Sequence, residues 1–107
     1  MPAELPADWT FVCGGSASTH QLDTLVKNAD GTFVGTGHFT TDPSYTWDLS
    51  GTISGSTVTW EVTYTGSEAG FVYTGTGTIS ADGSLQSDVS PNVNSCTEVV
   101  TSGGIFP

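Results

Sequence analysis

Apolar and polar residues alternate along most of this chain. In the segment Tyr45–Ile53 every second residue up to Leu49 is large and apolar, and threonine, aspartate and serine stand between them. The segment Thr57–Thr65 repeats the pattern, with Trp60 and Tyr64 among its apolar positions. A period of two is typical of a β-strand that has one face buried and the other in solvent. The alternation therefore predicts a sheet whose large aromatic side chains share one face.

Turn sequences divide the chain into short strands, and almost no helical periodicity occurs between them. Asn28–Gly31 and Ser80–Gly83 both end in Asp-Gly, and Ser54-Gly55 fits a tight two-residue hairpin loop. Such short connections allow only consecutive strands to pair, which favours an antiparallel meander. The eight predicted strands are Trp9–Cys13, Thr19–Lys27, Thr32–Thr40, Tyr45–Ile53, Ser56–Thr65, Gly70–Ile79, Ser84–Val89 and Cys96–Thr101.

Loop lengths predict that glycines lie opposite large rings on the inner face. Short hairpins pair Gly37 with Trp47 and place Gly75 near Trp60. Glycine permits strong strand coiling there, and the aromatic ring covers the exposed backbone. Coiled strands in a meander close naturally into a barrel. We therefore predict an all-β fold, an eight-stranded antiparallel up-and-down β-barrel, with a two-sheet β-sandwich as the alternative.

The same reasoning places two carboxylates together on the outside. The Ser54-Gly55 loop pairs Leu49 with Trp60, which puts Asp48 directly opposite Glu61. Like charges at that spacing destabilise a strand pair by up to about 1 kcal/mol. We interpret the pair as a mismatch screened by solvent. A weak divalent-ion site or an acid-base dyad is the alternative, although a convex wall offers no cleft for a dyad.

Composition and charge narrow the possible partners. The 107 residues are predicted to form one domain, 1–107, in which residues 1–7 are a flexible N-terminus. The net charge is −10 and Lys27 is the only lysine or arginine, which argues against nucleic acid or anionic lipid as a partner. No apolar run approaches 18 residues, so we expect no membrane insertion. The acidity fits solubility in an extracellular setting, with a cation-binding surface as the alternative.

Two cysteines stand near opposite ends of the chain. A Cys13–Cys96 disulfide would pin the first strand to the last and remove roughly 4–5 kcal/mol of unfolded-state entropy. Two free buried thiols are the alternative. Residues 1–8 have neither the basic start nor the apolar stretch of a signal peptide. We interpret Met1 as an addition to a mature domain and expect a secreted, periplasmic or extracellular protein.

The inner face offers a candidate ligand site. A hairpin that pairs Val26 with Phe33 puts His20 on the inner face with Phe39, where a neighbouring tyrosine could be its partner. His38 faces outward with no evident partner. The inner aromatics either fill the barrel or line a pocket, with Gly35, Gly37, Gly75 and Gly77 leaving the space. The predicted ligand-binding residues are His20, Phe39, Tyr45, Trp47, Trp60, Tyr64, Phe71 and Tyr73.

Trp9 in the first strand, the short meander and the aromatic interior together resemble the calycins, the lipocalin and avidin group. The run Gly31–Ser84 is similar, in its turns, Gly-Thr-Gly segments and aromatics, to small secreted bacterial lipocalin-like domains that are mostly uncharacterised. The resemblance implies a small hydrophobic ligand in the barrel. It does not extend to the polar loop residues that hold biotin in avidins.

Three functions follow as hypotheses. The first is binding of a small apolar or aromatic molecule inside the barrel. The second is a structural or adhesion module with a solid core, which acts through its acidic, threonine-rich surface. The third is a small-barrel cyclase or isomerase that uses His20 and a tyrosine as acid and base. We predict no nucleophile constellation, no cofactor and no metal, since two histidines on opposite faces do not make a zinc site.

Overall fold

A computed structural model describes residues 7–14, 16–66, 69–90 and 96–101. These residues form β-strands and no helix, as the period of two predicts, and none of them belongs to a helix that could span a membrane. The expected flexible N-terminus lies outside the described residues except for Ala7, which begins the first strand. The strands are β1 Ala7–Cys13, β2 Ser16–Lys27, β3 Thr32–Phe39, β4 Asp42–Ser54, β5 Thr57–Tyr64, β6 Val72–Ile79, β7 Leu85–Asp88 and β8 Cys96–Thr101.

The eight strands form one closed barrel in chain order, β1 to β8, and every pair is antiparallel. The barrel is closed by pairing of β1 with β8. This confirms the up-and-down barrel and rules out the sandwich. The Asp-Gly turns explain part of the order: Gly31 and Gly83 have φ of 91° and 85°, a backbone region that glycine enters at little cost.

Close packing of rings on glycines is confirmed, and it corrects one expectation. Gly37 pairs with Trp47, and Gly75 pairs with Trp60. A Cβ on Gly37 would overlap the Trp47 ring, and one on Gly75 would lie 2.6 Å from the Trp60 ring. The alternative in which Gly37, Gly75, Gly35 and Gly77 leave empty space is therefore wrong, since a Cβ at each would meet neighbouring atoms. The tryptophan rings and the neighbouring backbone occupy the volume that the missing side chains vacate.

The fourth hairpin is displaced by two residues from its predicted register. Its loop is Gly55-Ser56, with φ of 62° at Gly55, so Trp60 pairs with Gly51 rather than with Leu49. The inward faces are unchanged because a shift of two preserves parity. The predicted Asp48–Glu61 pair is wrong, since Asp48 lies opposite Thr63. No cross-strand carboxylate pair therefore forms here.

Two strand irregularities make other residue pairings differ from those that the loop lengths predict. A bulge between Leu22 and Thr24 shifts the end of β2, so that Val26 pairs with Val34 instead of Phe33. Beyond the bulge, His20 pairs with Phe39, as predicted. A second irregularity lies next to His38: the register that pairs Gly37 with Trp47 would bring Phe39 opposite Tyr45, but Phe39 pairs with Asp42.

Next to Gly37 and Gly75, packed and fully buried side chains fill the interior of the barrel. The rings of Trp9 and Trp60 lie 5.3 Å apart edge to face, and those of Trp9 and Trp47 lie 5.9 Å apart. Aromatic side chains bury large apolar areas, and such pairs add to that stabilisation. The fully buried side chains around them are Phe33, Leu22, Leu49, Leu85, Val58, Val62 and Val99.

Candidate functional site

A cavity of about 390 Å³ lies at one end of the barrel. This is the end at which β1, β3 and β5 finish and β2, β4 and β6 begin. Because adjacent antiparallel strands meet there, alternate residues near the strand ends converge on the cavity. Its lining comprises Phe11, Cys13, Ser18, His20, Phe39, Tyr45, Tyr64, Phe71, Tyr73 and Cys96.

Four of these rings form a closed cycle of contacts. Phe11 lies 5.1 Å from His20 and 5.4 Å from Tyr73, measured between ring centroids. Tyr64 completes the cycle at 6.2 Å from His20 and 5.9 Å from Tyr73. Neighbouring planes are inclined by 50° to 81°, so the rings enclose a space instead of forming one stack.

The wall continues on one side toward solvent. Phe39 stacks on His20 at 4.8 Å, with 23° between the planes, and Tyr45 lies 6.0 Å from Phe39. Phe71 lies opposite Tyr64, the last residue of β5, and the carbonyl oxygen of Phe71 accepts a hydrogen bond from the Tyr64 amide. Its side chain is 49% exposed, which is high for an apolar ring and places it at the mouth.

The structure brings together six of the eight predicted ligand-binding residues around this cavity and places the other two elsewhere. Trp47 and Trp60 lie beneath the cavity rings, 6.1 Å from His20 and 6.2 Å from Phe11 between centroids. Alternation correctly put them inside, but it carries no information on depth along the barrel axis. Binding by the six residues His20, Phe39, Tyr45, Tyr64, Phe71 and Tyr73 stays a prediction.

The imidazole of His20 has one defined tautomer when it is neutral. Its Nδ1 lies 3.2 Å from the Ser18 carbonyl oxygen, which can only accept, so Nδ1 carries the proton. Nε2 then accepts a hydrogen bond from the Tyr64 hydroxyl at 2.9 Å. The tyrosine partner predicted for His20 is thereby confirmed. Toward any further group, the Tyr64 oxygen can act only as an acceptor.

Burial keeps this imidazole uncharged at neutral pH. Only 4% of His20 is exposed, and desolvation of the charged ring lowers its pKa from 6.5 to about 4. The hydrogen bond to the Ser18 carbonyl opposes the shift, and the charge of His38 adds to it. The cavity therefore contains a neutral hydrogen-bonded pair.

The remaining polar groups that the described residues contribute to the lining are hydroxyls. Tyr73 is only 8% exposed, and its hydroxyl makes no hydrogen bond with any residue in the described ranges. Ser18 adds a hydroxyl to those of the three tyrosines on the lining. Among the described lining residues, none has a charged side chain. The site thus combines apolar walls with a few hydroxyl groups.

Sequence reasoning missed four of the lining residues as site members. Phe11 could have been included, because it alternates with Trp9 on the inner face. Cys13 and Cys96 were recognised only as a staple. Their disulfide is confirmed, and it joins β1 to β8 at the cavity lining. No sequence pattern identified Ser18 as a lining residue, because serine is equally common in turns and gives no sign of facing a cavity.

The second histidine belongs to an outer cluster. The Nδ1 of His38 lies 2.7 Å from Oδ2 of Asp23, and Gln21 donates a hydrogen bond to Oδ1 of the same carboxylate. The expectation that His38 has no partner is wrong, because the bulge at β2 turns Asp23 toward it. Within the described part of the chain, no group of three or more histidine, cysteine or acidic residues is arranged to hold a metal ion.

Comparison with protein-family models, with curated proteins and with solved structures finds no match to this chain. The closed eight-stranded antiparallel barrel is compatible with the calycin architecture that the sequence resembles. This compatibility concerns architecture alone, and the site must be interpreted from its own geometry.

Proposed function

We propose that this protein binds a compact apolar or aromatic molecule in the cavity at the mouth of the barrel. The observation that carries the proposal is a cavity of about 390 Å³ walled by aromatic rings above a solid tryptophan core. Its volume falls in the lower part of the range of roughly 300–1,000 Å³ found for small-molecule sites. A monocyclic or bicyclic compound fits that space better than a long lipid.

Two phenolic groups would orient such a ligand. Tyr64 presents an oxygen that accepts, since its proton is donated to His20. The Tyr73 hydroxyl can donate to the ligand. A few convergent polar groups in an apolar wall are typical of sites that select an orientation as well as a size.

The disulfide supports a location for this activity. Disulfides persist in oxidising compartments, and Cys13–Cys96 lies at the cavity lining. We infer that the protein acts outside the cytoplasm, in a secreted or periplasmic setting.

The His20–Tyr64 hydrogen bond also supports a second candidate, a cyclase or isomerase with this pair as base and acid. A general base works best when its pKa lies near the working pH. Because the pKa of His20 is about 4, the pair is better suited to positioning a ligand than to abstracting a proton at neutral pH. A reaction rate that persists in His20→Ala would exclude this candidate.

Two neighbouring substitutions test the binding proposal. Ser18 lines the cavity, whereas Ala17 is exposed on the opposite face of β2, so Ser18→Phe adds a ring inside and Ala17→Phe adds the same ring outside. The neutral fluorescent probe phenylnaphthylamine would be titrated into each protein, with thermal unfolding as the check on folding.

We expect saturable binding to the wild type and an affinity at least about tenfold weaker for Ser18→Phe, a change of about 1.4 kcal/mol. Ala17→Phe should bind within about twofold of the wild type, since its ring does not enter the cavity. No saturable binding to the folded wild type, or equal binding by the two variants, would refute the proposal.

A further inference from the structure

The cavity presents aromatic surface to its contents and is lined by no charged side chain among the described residues. Phe11, Phe39, Tyr64 and Tyr73 contribute rings at steep mutual angles, including 71° between the two tyrosines. The face of an aromatic ring carries partial negative charge, so several rings around one space favour a cation.

The net charge of the whole molecule also favours a positively charged ligand. The chain has eleven acidic residues against one lysine, which gives a net charge of −10. Lys27 is the last residue of β2, a strand that begins at the mouth, so this lysine lies toward the opposite end of the barrel. At the mouth itself, Asp42 pairs with Phe39. Such a distribution attracts cations toward the cavity and repels anions.

The polar groups of the cavity are compatible with a positive ligand. His20 is neutral at pH 7 because burial lowers its pKa to about 4, and it does not repel a cation. The Tyr64 hydroxyl donates its proton to Nε2 of His20, so it presents no positive hydrogen toward the cavity.

The aromatic rings of the lining select the kind of cation. A primary ammonium is strongly hydrated, and moving it into an apolar wall without a paired carboxylate costs a great deal. A quaternary ammonium has methyl groups in place of N–H bonds, and it is the cation that aromatic cages recognise.

We propose that the preferred ligands of this cavity are organic cations that carry a quaternary ammonium group, held by the rings of Phe11, Phe39, Tyr64 and Tyr73. The proposal rests on the binding function given above and specifies its ligand class. It assigns the aromatic lining a selectivity for charge in addition to its apolar contacts.

A pair of isosteric probes isolates the charge. Choline and neohexanol have the same shape, and they differ in having nitrogen or carbon at the centre of the trimethyl group. Calorimetric titration should give choline at least about a tenfold advantage over neohexanol, equivalent to about 1.4 kcal/mol. Raising the salt concentration should weaken choline binding and leave neohexanol binding unchanged, because salt screens only the charged ligand.

A substitution in the wall tests the role of the rings. Phe39→Leu keeps an apolar side chain on the cavity but removes its ring, so choline affinity should fall at least about fivefold and neohexanol affinity by a clearly smaller factor. Val26→Leu, on the exposed outer face, serves as the control and should change neither affinity.

Equal or tighter binding of neohexanol in the wild type would overturn the inference and leave the binding function intact. The same holds if phenylnaphthylamine binds and choline does not. Failure of all three compounds to bind the folded protein would overturn the binding function itself.

Discussion

At the scale of single residues, His20 connects the fold to the cavity. Its ring contacts Phe11 and Phe39, and its two nitrogens join the Ser18 backbone to the Tyr64 hydroxyl. A buried polar group that is fully hydrogen-bonded is tolerated in an apolar wall, whereas the charged form of the same ring is not. The environment that positions Tyr64 therefore also makes the folded protein sensitive to acid.

The first prediction concerns the pH dependence of stability. The pKa of His20 is about 4 when folded and 6.5 when unfolded, so the unfolded chain binds more protons between these values. The free energy of unfolding should therefore fall by about 2–3 kcal/mol as the pH is lowered from above 6.5 to 4. Urea denaturation at a series of pH values would measure this decrease.

Two glutamine variants separate the histidines in that experiment. His20→Gln cannot titrate, and its stability should vary less with pH over this window than that of the wild type. His38→Gln removes the outer pair with Asp23 and the smallest contribution to the lowered pKa of His20, so it should retain most of the wild-type slope. A slope that disappears in His38→Gln and persists in His20→Gln would contradict the assignment.

At the scale of strands, the seam between β1 and β8 is what makes the meander a barrel. β1 pairs with β2 on one side and β8 on the other, and the disulfide joins residues 83 positions apart in sequence. Because Cys13 and Cys96 also line the cavity, the covalent closure of the barrel and the wall of the site are the same feature.

The second prediction follows from this closure. The double variant Cys13→Ala/Cys96→Ala should lose about 4–5 kcal/mol of unfolding free energy, because its unfolded chain is no longer a long closed loop. Urea denaturation would measure the loss, and a reductant should destabilise the wild type by a similar amount without affecting the variant. A loss below about 1 kcal/mol would show that strand pairing alone holds the seam.

The number and pairing order of the strands were predictable from the sequence, whereas strand ends and local registers were less so: β2 begins at Ser16 rather than Thr19, and β4 begins at Asp42 rather than Tyr45. The Asp-Gly turns and the alternation were sufficient for the meander, and Gly37 opposite Trp47 followed from loop length. The loop between β4 and β5 was predicted one residue too early, because Ser54-Gly55 and Gly55-Ser56 both contain the glycine that a tight turn needs. Bulges, such as the one after Leu22, add a residue without any compositional signal.

At the scale of the whole molecule, the barrel is divided along its axis into a filled part and an open end. Sequence alternation correctly assigns Trp60 and Tyr64 to the same inner face. Trp60 is packed deep in the core, whereas Tyr64, four residues further along at the end of β5, packs on that core and also lines the cavity. Parity determines the face of a side chain, but its distance from the barrel mouth depends on strand tilt and stagger, which sequence patterns do not report.

The outer surface is the rival location for function. Thr52, Thr59 and Thr76 lie side by side on adjacent strands and are exposed, as the structural or adhesion hypothesis requires. Threonine is common at exposed strand positions, so this row by itself does not indicate a binding surface. A ligand that binds inside and one that binds outside should therefore perturb different residues.

The most direct test is a backbone amide NMR titration with phenylnaphthylamine. We predict that the largest chemical-shift changes occur at Ser18, His20 and Tyr73, which line the cavity, while Thr59 and Thr76 on the outer face do not change. Changes confined to the outer threonines, or no change at the cavity residues when the probe is saturating, would contradict the account.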